Sequence, residues 1–109
     1  MIEEVSLDEL TRAADDSAQL VIDARLPADF RAGSFANAVN VPVFATPWQC
    51  RDFLVGVDVR TPIVIFCQSE SCGYDDIIAR NLSDLGYQRI RVCSDGWSEY
   101  RAKRQVMTR

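Results

Sequence analysis

Histidine is absent from the 109 residues. Every mechanism that needs an imidazole base is thereby excluded, Cys-His proteolysis included, and a metal site would be left with poor ligands. Long apolar runs are missing too. The longest, Ile63 to Cys67, is far too short to cross a bilayer. No signal-peptide pattern opens the chain, because Met1-Ile2-Glu3-Glu4 is acidic and no apolar stretch follows it; a cytoplasmic protein is expected. Basic runs are confined to Arg101-Ala102-Lys103-Arg104 and the final Arg109, and the net charge is −4. That balance disfavours nucleic acid and anionic membrane as partners, since both require a positive field. The basic tail reads as a solvated helix end whose cations complement the helix dipole.

What is present fits one compact domain over residues 1–109. Hydrophobic residues make up 48% and charged residues 26%, an ordinary globular composition. With a core of its own, the chain has no need of a disulfide framework. Its four cysteines, Cys50, Cys67, Cys72 and Cys93, therefore read as reduced thiols.

Helix and strand signals alternate. Ser6-Leu7-Asp8-Glu9 is a capping box that starts a helix at Leu7. Leu20-Val21-Ile22 reads as a short strand buried on both faces. Pro27 opens a short helix that Gly33 stops, Val39 and Val41 mark a strand, and Thr46-Pro47 launches a helix running to Gly56. Pro62-Ile63-Val64-Ile65-Phe66 is the strongest strand. Tyr74, Ile77, Ile78, Leu82 and Leu85 follow helical spacing ahead of Gly86, Arg89 to Val92 forms a strand, and Trp97 to Ala102 a last helix. This order predicts an α/β fold with a parallel sheet covered on both faces. Trp48 and Trp97 are expected to be large apolar anchors, and Cys50 and Cys93 to serve packing.

Ligands of open α/β sheets bind beyond the carboxyl ends of the strands. Cys67 follows the best strand directly, and a helix starts a few residues later. The amides of Gln68, Ser69, Glu70, Ser71, Cys72 and Gly73 belong to a turn and a helix start, whose donors lack intrahelical partners. Converging on the sulfur, they would form an anion nest and lower the thiol pKa. Inward amides tend to turn side chains outward, so Cys72 is expected to face away from Cys67, although a role as resolving thiol stays open. A zinc site at Cys67, Cys72 and Cys93 lacks paired knuckle spacing and a fourth ligand. Cys-x5-Arg phosphatase chemistry is excluded by count, because the sixth residue after Cys67 is Gly73.

The ordered set of motifs resembles the rhodanese-like domain family. Val21-Ile22-Asp23-Ala24-Arg25, then Phe30 and Gly33, then Ala38-Val39-Asn40-Val41-Pro42 are similar to the first half of its pattern. Ile63 to Cys67, Ala79, Leu82, Gly86-Tyr87 and Asp95-Gly96-Trp97 are similar to the second. The resemblance implies a rhodanese-like fold with a central, mostly parallel five-stranded sheet and helices on both faces. It also implies a sulfurtransferase that carries sulfane sulfur as a Cys67 persulfide, with no cofactor and no metal. Asp23 and Arg25 would be structural supports of the active-site loop. Two departures stand out. Ser34 replaces the family's His, which should alter packing more than chemistry. Cys72 stands where thiosulfate-using members carry Arg, and Glu70, Asp75 and Asp76 add negative charge. Thiosulfate should therefore be a poor donor, leaving protein persulfides or small thiols as partners. Two other classes remain open: a catalytically silent rhodanese-like module that binds a protein, and a thiol redox protein using Cys67 and Cys72.

Overall fold

The structure is a computed structural model and describes residues 2–42, 44–69 and 72–107. Its elements, in chain order, are β1 (Glu3–Glu4), α1 (Leu7–Ala14), β2 (Leu20–Asp23), α2 (Pro27–Ala32), β3 (Val39–Asn40), α3 (Pro47–Phe53), β4 (Ile63–Phe66), α4 (Tyr74–Asp84), β5 (Ile90–Cys93) and α5 (Gly96–Met107). The five strands form one parallel sheet in the order β1-β5-β4-β2-β3. The predicted elements recur within a few residues. The exception is β1, an edge strand of two exposed glutamates with no apolar run to announce it.

Local chemistry sets the boundaries. Ser6 Oγ accepts the Glu9 amide at 3.2 Å to start α1. Thr46 and Gln49 exchange both bonds of a capping box at α3, with Pro47 in the first turn. The strand β4 is buried along its whole length, and its alternation divides the core. Ile63 and Ile65 join Ile22, Cys50, Leu54, Ile78, Ala79 and Leu82 on the face covered by α3 and α4. Val64 and Phe66 join Val21, Leu7, Leu10 and Ala13 on the other face, under α1, where Phe35, Trp97 and Tyr100 pack. Burying side chains of this size contributes roughly 1.5–3 kcal/mol each. Such two-sided burial is why β2 and β4 read as unbroken apolar runs.

Cys50 and Cys93 are buried core residues and Trp97 is an anchor, as expected. Trp48 is not. It is 73% exposed and stacks on Arg51, whose guanidinium carbon lies 5.4 Å from its ring centroid. The short helix α3 turns Cys50 to the core, and a residue two positions earlier falls on the opposite side of the helix. In the tail, Arg101 and Lys103 are exposed on α5, whereas Arg109 lies outside the described residues.

The sheet order directs attention to the end of β4. From β2 the chain moves outward to β3, and from β4 it moves the other way to β5. The loops after β2 and β4 therefore diverge, and a crevice opens between them at a topological switch point. The β5–α5 turn closes its floor. Gly96 there has φ +79°, and a Cβ at this position would lie 2.8 Å from Ser69 N, 2.9 Å from Cys67 O and 2.9 Å from Gln68 C. All three are backbone atoms that cannot swing aside. Gly96→Ala is expected to lower stability by roughly 1–3 kcal/mol from the left-handed backbone alone, with the backbone clash adding to it. A urea midpoint equal to that of the parent protein would contradict this packing.

Candidate active site

The framework of the site begins with Asp23 at the end of β2. Its carboxylate accepts the Arg25 amide at 2.9 Å, Arg25 Nε at 3.0 Å, Arg25 Nη2 at 2.8 Å and Ser34 Oγ at 2.8 Å. The pair is almost wholly buried. Arg25 then reaches outward: Nη2 donates to Gly33 O at 2.5 Å and Nη1 to Gln68 Oε1 at 3.2 Å. Its guanidinium lies over Trp97, 4.9 Å from the ring centroid, an arrangement favourable to a cation. Asn40 Nδ2 donates to both Asp23 O and Arg25 O at 2.9 Å, fixing the backbone that presents the pair. Ser34, standing where the resemblance expects His, thus serves as a hydroxyl donor to the same carboxylate.

The loop after β4 is held from two sides. From one side Arg25 grips Gln68. From the other, the first amides of α5 donate into its backbone, Trp97 N to Cys67 O and Ser98 N to Gln68 O, each at 2.9 Å. Gln68 Nε2 also donates to Ser98 Oγ at 3.0 Å. The Gln68 side chain is therefore a strut between β2 and α5. Gly73 caps α4 with φ +75°, a left-handed conformation natural to glycine. Glu70 and Ser71, expected in the cradle, lie outside the described residues.

Cys67 ends the central strand and is 1% exposed. Its thiol is within 3.5 Å of the Ser69 carbonyl, to which it donates. The amides of Ser69 and Asp75 both hydrogen-bond the sulfur; Ser69 belongs to the expected cradle, whereas Asp75 lies beyond it in α4. The Cys72 side chain hydrogen-bonds the same sulfur. Cys72 thus faces Cys67, contrary to the expectation that it turns outward. The cause is local: the Cys72 amide donates back to Ser69 O at 3.0 Å, the carbonyl that also receives the Cys67 thiol, and Cys72 packs against the core cluster containing Cys67. All four cysteines are free thiols.

The expected lowering of the thiol pKa is also reversed. Burial, followed by the Cys72 contact and the negative charge of Asp75, pushes the Cys67 thiol up to about 12, against the opposing pull of the two amides. Asp75 lies in the first turn of α4, 5% exposed, with its Oδ1 accepting the Asp76 amide at 2.9 Å. Burial raises its own proton affinity. Cys93, opposite Phe66 at the end of β5, is raised chiefly by burial as well.

Three contributors were not singled out for the site from sequence: Gly96, Asn40 and Ser98. Gly96 and Asn40 appear within the motifs of the resemblance, whereas Ser98 carries no sequence signal, since any residue supplies an amide and many supply a hydroxyl. A shallow cavity of about 150 Å³ lies on the outer side of the loop, between Arg25, Gly33, Gln68, Trp97 and Arg101.

A wholly parallel α/β sheet, with a buried thiol at the carboxyl end of its central strand and helix-start amides on the sulfur, defines a thiol-bearing switch-point site. The rhodanese-like domain model matches residues 6–103, and the chain belongs to that family. The human single-domain sulfurtransferase TSTD1 is 22% identical, with TM-score 0.71 over 94% of this chain and 98% of that one. The Saccharomyces cerevisiae single-domain sulfurtransferase RDL2 is 14% identical, with TM-score 0.79 over 94% and 91%. Reduced Bacillus anthracis CoADR-RHD is 28% identical, with TM-score 0.68 over 91% of this chain and 16% of that much longer one. No curated protein matches the sequence.

The balance on Cys67 has a measurable consequence. A thiol raised to about 12 is protonated at neutral pH, so the alkylation rate of Cys67, followed by peptide mapping, should still be climbing at pH 10. Asp75→Asn removes the negative charge beside it and should move the profile down by on the order of one pH unit. A plateau below pH 8 in the parent protein, or an unmoved profile in the variant, would show the thiol's surroundings to be otherwise.

Proposed function

We propose that the protein is a sulfurtransferase that carries sulfane sulfur as a persulfide on Cys67 and exchanges it with protein or small-thiol partners. The observation that carries this reading is the pair of amides, from Ser69 and Asp75, aimed at the sulfur that ends the central strand. Two such donors stabilise a negative terminal sulfur, and no general base is required, in keeping with the absence of histidine. The likeness to TSTD1 and RDL2, both described as sulfurtransferases, supports the same class. A silent binding module would have no need of a thiol at this position.

The choice of partner follows from charge. The Arg25 guanidinium is engaged by Asp23, and the ionised side chain acting on Cys67 is Asp75. A thiosulfate dianion approaching this sulfur meets a stronger repulsion than a neutral thiol or a singly charged protein persulfide does. The domain acts as one unit over residues 1–109 and works without a cofactor.

Intact-mass measurement after incubation with a polysulfide should show one added sulfur, removable by cyanide and lost in Cys67→Ser. Thiosulfate:cyanide activity should be weak and rise roughly fivefold or more in Asp75→Asn, for about 1 kcal/mol of repulsion removed. Sulfur uptake that persists in Cys67→Ser, or rapid thiosulfate turnover by the parent protein, would refute the proposal.

A further inference from the structure

The contact between the two loop thiols carries a consequence that simple sulfur carriage does not. Cys67 is buried, Cys72 is half-buried and packed against the same cluster, and the Ser69 carbonyl receives both the Cys67 thiol and the Cys72 amide. We infer that Cys72 resolves the Cys67 persulfide, forming a Cys67–Cys72 disulfide and releasing the carried sulfur as hydrogen sulfide. This rests on the persulfide reading above and specifies the product of that site.

The step balances. The Cys72 sulfur attacks Cys67 Sγ, an S–S bond forms between the two cysteines, and the bond from Cys67 Sγ to the outer sulfur breaks. The outer sulfur departs with the bonding electron pair and takes up the proton of the Cys72 thiol. The sulfane sulfur is reduced to sulfide while two cysteine thiols become one disulfide, so no external oxidant enters. A dithiol reductant is needed only to restore both thiols for the next cycle.

Leaving-group chemistry decides which sulfur is attacked. Thiol–disulfide exchange expels the less basic sulfur faster. Attack on the outer sulfur would expel Cys67 as a thiolate, and burial together with Asp75 makes that thiolate unfavourable. Attack on Cys67 Sγ expels sulfide, which is less basic than this cysteine. Cys67 Sγ, the atom that must be attacked, donates to the same Ser69 carbonyl that receives the Cys72 amide, and Cys72 packs against the cluster that contains it. The more exposed position of Cys72 then leaves the disulfide open to an external dithiol on the Cys72 side.

The test loads the parent protein, Cys72→Ser and Cys72→Ala with inorganic polysulfide, removes the excess, and follows intact mass and released sulfide without reductant. The parent should lose its added sulfur, release one sulfide per chain and end two hydrogens lighter than the dithiol form. Peptide mapping should place the crosslink between Cys67 and Cys72. Both variants should hold the persulfide at least about tenfold longer, the advantage of a neighbouring thiol over one in solution. Equal lifetimes in all three proteins, or a persulfide accumulating on Cys72, would overturn the inference while leaving sulfur carriage by Cys67 intact. Failure of every protein to take up sulfur on Cys67 would overturn both.

Discussion

The buried pair of Asp23 and Arg25 is the interaction on which the carboxyl edge of the sheet depends. The carboxylate collects the Arg25 side chain, the Arg25 amide and the Ser34 hydroxyl, and the guanidinium extends that anchorage to Gly33, Gln68 and the face of Trp97. A buried ion pair contributes little net stability compared with apolar residues of the same volume, yet breaking one by removing a single partner costs about 3–5 kcal/mol. Its value here is geometric. One side chain fixes the spacing between the loops after β2 and β4 and the start of α5, and that spacing positions the backbone around Cys67.

Around the sulfur, two opposed influences are built into one turn of chain. The amides of Ser69 and Asp75 favour negative charge, while burial and the Asp75 carboxylate disfavour it. The same residue, Asp75, thus supplies a donor from its backbone and a repulsive charge from its side chain. A resting thiol is thereby kept protonated. Under the proposed function, an anionic small donor would be discouraged and a persulfide would sit near a second thiol. These features distinguish the site from an anion-binding cradle completed by an arginine.

Most of the fold was legible because its signals are local. Ser6 and Thr46 cap helices through contacts three residues away, and Ile63 to Phe66 are apolar because both faces of their strand are covered. The edge strand at Glu3–Glu4 leaves no apolar signal in the sequence, since it is held by backbone pairing to Arg91 and Val92 rather than by buried side chains of its own. Trp48 is exposed although apolar, because the short helix that bears it turns Cys50 to the core, a facing that composition alone does not set. At the site, the position of Cys67 and the support from Asp23 and Arg25 could be read from motif and order. The direction of Cys72 and the sign of the Cys67 shift could not. Both depend on how tightly the loop turns on the Ser69 carbonyl and how fully water is excluded, which are tertiary outcomes with no sequence periodicity behind them.

The central claim is that the loop after β4 is a pre-formed holder for a sulfur atom carried by Cys67. A high-resolution structure of Cys72→Ser loaded with polysulfide tests it most directly. The account predicts added density on Cys67 alone, with the outer sulfur within hydrogen-bond distance of the Ser69 and Asp75 amides and the Arg25–Gln68–Ser98 bracket unmoved. Sulfur found on Cys93 or Cys50, or on Cys67 but pointing into the core with no amide in reach, would contradict it.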